Sequence, residues 1–341
     1  MKKNHYNHII GQQRAKDVLK DFASSAGKTI CNAKLVNGSA GGGKTTFLTA
    51  TMNDLNEREF NCIYIPFAHN YRKVEGWDAI ATKWNALHGK KRALIIDEIQ
   101  GLFKNKEESG VGAGSLIKFI MMAANPEQGT GERREEIGKI DVSFSPLDDV
   151  IMGATNYPER LEHAFFTRFE SVELSPYTRD ELTEILHKVL TGRGWKYNDE
   201  TVLILSGVCK GTARNINKIC NSMGEHLKAR NKVTISRKDV MQVLQKCSLY
   251  LRGLSATDIQ ILSLIDGSKL GLKQASIGSH FDSDAIAKKS IRTLASMEFI
   301  LEGTVKRISP KGKKYLEVSK DEGFEWSSLS MDSTDDELAG V

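Results

Sequence analysis

The feature that most constrains the fold of this chain is a glycine-rich run at residues 38–45, G-S-A-G-G-G-K-T. It matches the pattern G-x-x-x-x-G-K-[ST] at every position. It follows a short apolar run at residues 33–37 (AKLVN) and precedes a predicted helix, which is the strand–loop–helix context that gives the pattern its meaning. In that context the first amides of the helix surround phosphate groups. The sequence therefore predicts a site for the phosphates of a nucleotide.

The residue types in this run indicate how a triphosphate is held. Gly41, Gly42 and Gly43 let the backbone curl closely around the phosphates. The Lys44 ammonium neutralises the β and γ phosphates, and the Thr45 hydroxyl is a ligand for Mg²⁺. We therefore expect ATP and Mg²⁺ as the ligands of this loop.

A second motif predicts that the nucleotide is hydrolysed rather than only bound. The apolar run at residues 93–96 (ALII) ends in Asp97 and Glu98. Carboxylates at the carboxyl end of a parallel strand face the ligand crevice of an open sheet. Asp97 is thus expected to hold Mg²⁺, and Glu98 to polarise the attacking water.

Four further residues are candidates for catalysis. Asn156, at the end of another apolar run, is expected to orient the water, with Thr155 as the second choice. The transition state also needs positive charge at the γ phosphate, which Arg168 and Arg214 could supply with a rigid guanidinium. Single arginines are more often surface ion-pair residues, so the sequence pattern leaves both roles open.

The apolar runs also predict the fold class, which is α/β. Runs at residues 33–37, 60–66, 92–96 and 150–154 are short and nearly continuous, which is typical of strands buried on both faces. The stretches between them have helical periodicity. Together they predict a parallel, doubly wound sheet.

The chain is predicted to divide into four parts. Residues 1–176 form the nucleotide-binding α/β domain, and residues 177–250 form a small helical domain. Residues 251–317 read as three helices and a two-stranded wing with a glycine turn, which is the winged-helix pattern. Residues 318–341 are poor in aliphatic side chains and rich in Ser, Asp and Glu, which is typical of a disordered acidic tail.

The charge pattern favours a nucleic-acid partner. The formal net charge is +5, and the wing region concentrates basic residues that could contact DNA phosphates: Lys306, Arg307, Lys311, Lys313 and Lys314. The alternative interpretation is that these basic residues are only a solvent-exposed charged segment without a partner. No run approaches the 18 or so apolar residues of a spanning helix, so we expect a cytoplasmic protein without a membrane partner.

The order of these motifs resembles that of the RuvB family of AAA+ ATPases, which are Holliday-junction branch-migration motors. The resemblance covers about residues 8–316. The matching segments are Ile10-Gly11-Gln12, Lys44-Thr45-Thr46, Asp97-Glu98-Ile99, Gly153-Ala154-Thr155-Asn156, Arg168-Phe169, Tyr177-Thr178, Gly211-Thr212-Ala213-Arg214 and Gly253-Leu254. The family has an AAA+ P-loop domain, a helical lid and a winged-helix domain, so the resemblance implies the same fold here.

The resemblance also implies roles for individual residues. Arg168 looks like an arginine finger that reaches a neighbouring subunit, and Arg214 looks like the second sensor in the lid. Tyr177 would lie near the base, and Ile9 and Ile10 near the adenine. It further implies a hexameric ring on duplex or branched DNA, with a protein partner at a β-hairpin within residues 125–149.

Departures from the family keep other functions open. The loop at residues 38–43 (GSAGGG) has no proline where the family usually has one, the hairpin sequence is dissimilar, and the acidic tail is extra. A phage or mobile-element relative would show these differences. The alternatives are an AAA+ clamp or helicase loader and a nucleotide-gated winged-helix regulator.

Overall fold

A computed structural model describes residues 4–30, 33–68, 73–103, 111–124, 131–209, 212–247, 254–281, 283–301 and 303–320. These residues form two compact units. The first comprises the described residues up to Glu181 together with Thr212–Arg214, and the second comprises the remainder. The division of the second unit into a helical lid and a winged-helix domain remains a prediction.

The first unit is an α/β unit with a parallel main sheet and a separate β-hairpin. Its described strands are β1 (Ala33–Gly38), β2 (Asn61–Ile65), β3 (Arg92–Ile96), β4 (Arg133–Ile137), β5 (Ile140–Phe144), β6 (Asp149–Thr155) and β7 (Phe169–Leu174). Its described α-helices are α1 (Gln13–Ser25), α2 (Lys44–Asn56), α3 (Val74–Asn85), α4 (Val111–Ala123) and α5 (His163–Phe166). Short 3₁₀ segments lie at Ile99–Phe103 and Pro158–Arg160.

The main sheet has the strand order β2-β3-β6-β1-β7, with every neighbouring pair parallel. The four predicted strands are confirmed. The prediction was incomplete at one edge, because β7 also belongs to the sheet. Its sequence, FESVEL, has exposed polar residues between its buried apolar ones, so it lacks the continuous apolar run by which the other strands were found.

Helices cover both faces of this sheet. In β3, Ala93 and Ile95 face the cluster that holds α1 and α2, while Leu94 and Ile96 face the cluster that holds α3 and α4. Because successive side chains of a strand point to opposite faces, a fully apolar strand serves two cores at once. This explains why the central strands are uninterrupted apolar runs.

A buried ion pair joins the beginnings of two central strands. Arg92 and Asp149 are 2% and 0% exposed, and Arg92 Nε donates to Asp149 Oδ1 at 2.7 Å. The Arg92 guanidinium also lies 4.3 Å from the ring centre of Trp84. Burial raises the pKa of Asp149, and the hydrogen bond from Arg92 opposes that rise. The pair fixes β3 beside β6 at the amino ends of both strands.

A β-hairpin packs on the α3 and α4 side of the first unit. Strands β4 and β5 are antiparallel, with Ile137 paired to Ile140 across a two-residue turn. Gly138 adopts a φ of +70° at the first turn position, as a type II′ hairpin turn requires. The hairpin lies within the predicted range 125–149, of which residues 125–130 fall outside the described residues.

The second unit is built from helices and one small sheet. The described helices are α6 (Arg179–Gly192), which begins in the first unit, α7 (Asp199–Val208), α8 (Ala213–Lys228), α9 (Arg237–Lys246), α10 (Ala256–Asp266), α11 (Gln274–Gly278), α12 (Asp284–Ser296) and α13 (Pro310–Lys320). The described strands are β8 (Leu272–Lys273), β9 (Ile300–Leu301) and β10 (Val305–Ile308). Reciprocal side-chain and backbone hydrogen bonds between Thr178 and Glu181 cap the amino end of α6.

The wing differs from the prediction in its number of strands. Strands β9 and β10 form the predicted hairpin with Gly303 between them, but β8 adds to the other edge of β10 and completes a three-stranded sheet. A strand of two residues has no detectable period in a sequence. The predicted boundary of the acidic tail at residue 318 is wrong, because residues 318–320 belong to the last turn of α13. The rest of the predicted tail, from residue 321 onward, lies outside the described residues.

Within the described ranges, no helix has both the length and the apolar composition that crossing a bilayer requires.

Candidate functional site

The glycine-rich loop joins β1 to α2 at the carboxyl edge of the sheet. Gly41 and Gly43 have φ values of +83° and +95°, which a residue with a side chain rarely adopts. Lys44 is the first residue of α2, and its Nζ donates to the carbonyl oxygens of Gly38 and Ser39, both at 2.7 Å. An ammonium has three donors, so one remains for a phosphate. The loop therefore holds the lysine in place from its own backbone.

Only β6 separates β3 from β1 in the sheet, and all three strands are parallel. The carboxyl end of β3 therefore places Asp97 next to the loop that follows β1. Thr45 Oγ1 donates to Asp97 Oδ2 at 2.6 Å, and the backbone N–H of Glu98 donates to Asp97 Oδ1 at 2.9 Å. Asp97 is 7% exposed. The structure thus brings together Lys44, Thr45 and Asp97, three residues predicted from two separate motifs.

The oxygens of Thr45 and Asp97 suit a magnesium ion. Mg²⁺ prefers hard oxygen ligands and is commonly held by one or two protein groups together with substrate phosphates. A hydroxyl and a carboxylate already 2.6 Å apart at a phosphate-binding loop form such a donor set. Thr45 and Asp97 would hold the ion, and its charge would offset that of the phosphates.

Tyr64 belongs to this site, and the sequence analysis missed it. Its hydroxyl donates to Asp97 Oδ2 at 3.4 Å from the neighbouring strand β2. Burial, followed by the charge of Asp97, raises the pKa of Tyr64 to about 12, so the hydroxyl stays a donor. No motif contains this tyrosine, and only the register of β2 against β3 places it here.

Glu98 has an unusual backbone conformation. Its φ is +50°, in the left-handed region, although it has a side chain. Such conformations cost about 1–2 kcal/mol and concentrate at functional sites. The conformation begins a tight turn directly after β3, at the edge of the sheet where the phosphate-binding loop lies.

The two candidates that follow β6 have different environments. The Thr155 hydroxyl accepts a hydrogen bond from the Tyr157 backbone at 3.0 Å, so it has a local role in the turn. The Asn156 Oδ1 is buried and has no hydrogen-bonding partner among the described residues. A buried acceptor without a donor is costly and points to a ligand or water. Asn156 is therefore the better candidate for orienting water.

Tyr177 lies beside the loop, and the predicted adenine contacts Ile9 and Ile10 are buried. A side chain added at Gly43 would come within 2.8 Å of the Tyr177 hydroxyl, so the two are in close contact. Burial, and then the charge of Glu181, raises the pKa of Tyr177. Ile9 and Ile10 are 6% and 8% exposed, and Ile9 packs in the α1 and α2 core. Thr46 is exposed on the first turn of α2.

Gln12 is a second residue that the sequence analysis did not assign. It appeared only as part of the Ile-Gly-Gln segment. Its side chain donates to the Ser175 carbonyl at 2.6 Å and accepts from the Ser175 N–H at 3.1 Å. These bonds tie the N-terminal segment to the chain just before Tyr177.

The two candidate arginines lie at different places. Arg214 is exposed beside the loop, and a Cβ at Gly41 would lie 3.0 Å from Arg214 Cβ. Burial lowers the pKa of Lys44, Asp97 opposes that effect, and Arg214 adds to it. Arg168 instead donates to the Ala164 carbonyl and lines a cavity of about 650 Å³ with α4 and β4.

The predicted DNA-contacting residues of the wing are not equivalent. Lys313 is exposed, whereas Lys311 is paired with Glu298 at 3.1 Å, and its side chain is 17% exposed. Lys306 Nζ donates to the Gly303 carbonyl at 2.8 Å, and Arg307 Nε donates to the Leu270 carbonyl at 3.4 Å. Lys313 is thus the member of this set with the most freedom to meet a phosphate.

Comparison with known proteins agrees with this geometry. Residues 34–177 match the family described as "ATPase family associated with various cellular activities (AAA)". Residues 34–177 are an AAA ATPase domain. The AAA domain thus covers β1 to β7, with the loop, Asp97 and Glu98 inside it.

Similarity to individual proteins extends beyond the AAA domain. The "Holliday junction branch migration complex subunit RuvB" of Fervidobacterium nodosum is 26% identical over 319 residues, which is 91% of this chain and 86% of that protein. The "Replication factor C large subunit" of Pyrobaculum neutrophilum is 23% identical over 264 residues, 70% of this chain and 54% of that protein.

Solved structures show the same fold. A mutant of RuvB from Thermotoga maritima superposes with a TM-score of 0.65 at 20% identity, covering 93% of this chain and 99% of the other. The ORC1 protein of Aeropyrum pernix, in complex with DNA, has a TM-score of 0.53 at 14% identity over 96% of this chain and 98% of the other. The chain has the AAA+ P-loop fold.

Proposed function

We propose that this chain is an ATP-driven DNA motor similar to RuvB, which assembles as a ring and moves duplex or branched DNA. The observation that carries the proposal is the extent of the similarity to the F. nodosum RuvB, which covers 91% of this chain and 86% of the relative. It therefore includes the AAA domain and most of the second unit. A similarity confined to the AAA domain would support only ATP hydrolysis.

The site residues have complementary tasks in this proposal. Lys44 and the loop amides bind the phosphates, while Thr45 and Asp97 hold Mg²⁺. Glu98 accepts a proton from the attacking water, and Asn156 orients that water with its Oδ1, which has no partner among the described residues. The hydroxyl of Tyr64 keeps the Asp97 carboxylate oriented toward Thr45.

The positions of the arginines support a site completed by a second copy. The charge of Arg214 acts on Lys44 of the same chain. Arg168 lies at the α4 and β4 surface, from which it would serve the site of a neighbouring subunit. Arg214 contacts the loop of its own chain and would report nucleotide state to α8, the helix that contains it.

Strand displacement from a triplex tests the proposal. We expect the purified chain with ATP to displace a triplex-forming strand from duplex DNA, and its ATP turnover to rise when duplex is added. Glu98→Gln is the matched control, because it keeps the shape of the site and removes the base. A chain that hydrolyses ATP but never displaces the strand is not a translocase.

A loader for a clamp or helicase is the second candidate. The similarity to the replication factor C large subunit favours it, although this similarity covers only 54% of that protein. A loader would hydrolyse ATP faster only when its protein partner is present with DNA. Stimulation by DNA alone, together with strand displacement, would favour the motor.

A further inference from the structure

The two outer edges of the hairpin β4–β5 differ in the hydrogen-bonding partners of their backbone N–H and C=O groups. In a hairpin with a two-residue turn, the pair beside the turn exchanges hydrogen bonds, and so does every second pair beyond it. Ile137 and Ile140 are that first pair. The intervening residues, Arg134 and Glu136 on β4 and Asp141 and Ser143 on β5, therefore direct their N–H and C=O groups outward.

The outer edge of β5 is closed by side chains. The Ser143 carbonyl accepts from Trp84 Nε1 at 2.8 Å and from Arg92 Nη2 at 3.2 Å. The Asp141 carbonyl accepts from Asn85 Nδ2 at 2.7 Å. This edge is thus fixed to α3 and β3, and its carbonyls are occupied.

The outer edge of β4 is open. Within the described part of the chain, the backbone groups of Arg134 and Glu136 have no hydrogen-bonding partner. An open edge is a template for a further strand, and exposed charged side chains restrict which strands can pair there. The Arg134 and Glu136 side chains are both exposed.

A groove runs between this open edge and helix α4. It is the cavity of about 650 Å³ that Arg168 also lines. Ile117, Met121 and Met122 are half-buried on its helix side. A strand edge facing an apolar helix is the arrangement that binds extended peptides by strand addition, with backbone hydrogen bonds on one side and side-chain contacts on the other.

The charge of the groove is positive. Among the described residues, four basic side chains line it, Lys118, Arg133, Arg134 and Arg168, together with the carboxylate of Glu135. Lys118 pairs with Glu135 at 2.6 Å, and Arg133 donates to the Met122 carbonyl at 2.7 Å. A complementary occupant is therefore an acidic segment with apolar side chains at alternate positions.

We propose that this groove binds the acidic C-terminal segment of the chain itself, by addition of residues 324–328 (FEWSS) to the open edge of β4. Residues 321–341 contain seven carboxylates, at positions 321, 322, 325, 332, 335, 336 and 337, and no lysine or arginine. Phe324 and Trp326 are also good strand formers.

The alternation of the segment matches the two faces of the hairpin. Arg133 and Glu135 lie on the face toward α4, and Arg134 lies on the exposed face. A strand added here places Phe324 and Trp326 on one face and Glu325 on the other. The aromatic rings then contact Met121 and Ile117, and Glu325 meets Arg134. If Arg168 serves a neighbouring site, as in the proposed function, the bound segment restrains it.

Photo-crosslinking of the full chain tests where the segment binds. Benzoylphenylalanine at position 324, in place of Phe324, should crosslink to Met121 or Met122, as identified by mass spectrometry. The same group in place of Leu338, outside the paired segment, should not reach them. The size of the crosslinked product shows whether the segment comes from the same copy or from another. Neither measurement needs nucleotide or DNA, so it is independent of the proposed motor.

Charge exchange tests the predicted pairing. Arg134→Glu should lower the crosslinking yield about fivefold, since attraction to Glu325 becomes repulsion. Glu325→Arg should do the same, and the two changes together should restore the yield. The exposed pair of Arg134 with Glu132 contributes little stability, so the fold should remain. Lys139→Glu, an equal charge change at the hairpin turn, is the control and should have no effect.

Hydrogen exchange tests strand addition itself. In the unaltered chain the amides of Arg134 and Glu136 should be protected, and Ser327→Pro should speed their exchange about tenfold, because proline cannot extend the pairing. Free exchange of these amides in the unaltered chain overturns the proposal. Crosslinks that lead to the second unit, to DNA or to another polypeptide instead of α4 also overturn it.

Discussion

At the scale of single residues, Glu98 combines a proposed catalytic role with a disfavoured backbone conformation. Its φ of +50° places it in the left-handed region, while the adjoining Asp97 accepts its N–H at 2.9 Å. The same chain has a second glutamate in that region, Glu59, with a φ of +69° in the exposed turn after α2. Comparing Glu98 with Glu59 therefore separates the free-energy cost of the left-handed conformation from the role of the Glu98 carboxylate.

Replacing Glu98 should separate activity from stability. Glu98→Gln should retain ATP binding and lower turnover about 100-fold, since a general base is removed and the shape is kept. Glu98→Gly should also abolish turnover. It should leave the free energy of unfolding unchanged or raise it by up to about 1 kcal/mol, because glycine adopts this φ without strain.

Turnover assays and urea unfolding of each variant make the comparison. Glu59→Gly is the control, with the same expected change in stability and full activity. Hydrolysis by Glu98→Gln at the parent rate contradicts the assigned role of Glu98.

The sequence predicted the residues that lie within contiguous motifs. Lys44, Thr45 and Asp97 were identified because the loop and the strand-terminal acids have fixed spacings. Tyr64 and Gln12 were not, because their contacts depend on strand register and on a segment 163 residues away in sequence. The roles of Arg168 and Arg214 remain predictions.

At the scale of elements, neighbouring basic residues of one helix differ in their contacts. Lys311 and Lys313 lie on the first turns of α13. The Lys311 ammonium contacts Glu298 and lies 6.0 Å from the ring centre of Phe299. Lys313 is exposed and has no side-chain partner within the described residues. A sequence pattern cannot make this distinction, because both are lysines of one basic run.

DNA binding should therefore respond differently to the two lysines. Lys313→Ala should weaken duplex binding and reduce the slope of log K against log salt by about 1, since one phosphate contact is lost. Lys311→Ala should leave that slope unchanged and lower the free energy of unfolding by less than about 1 kcal/mol. Fluorescence anisotropy over a salt series measures the first effect, and urea unfolding measures the second. Equal slopes for Lys313→Ala and the parent chain exclude Lys313 from the DNA contact.

Helices and strands were predictable where the helix has one apolar face or the strand is apolar throughout. The central strands were predicted from their continuous apolar runs, and the helices between them from helical periodicity. Strand β7 was missed because an edge strand has the alternation of a polar surface, and β8 because it is too short to have a period. Both strands form by pairing with strands that are distant in sequence, β1 for β7 and β10 for β8. Local sequence patterns contain no information about such pairing.

At the scale of the whole molecule, the proposed motor requires more than one copy. Lys44 contacts its own loop, and Arg168 lines a separate surface beside α4. If Arg168 acts on the site of a neighbour, each active site takes Lys44 from one chain and Arg168 from the next. Two inactive variants can then repair each other within a mixed assembly.

Mixing Lys44→Ala with Arg168→Ala tests this arrangement. Each variant alone should be inactive. In an equal mixture, an interface is active when the chain that supplies Lys44 adjoins the chain that supplies Arg168, which random assembly in a ring gives at roughly one interface in four. ATP turnover of the mixture should therefore approach about a quarter of the parent rate. Lys44→Ala mixed with the double variant, which supplies neither group, is the control and should stay inactive. An inactive mixture of the two single variants would mean that each site is completed within one chain, with Arg168 bound to its own surface.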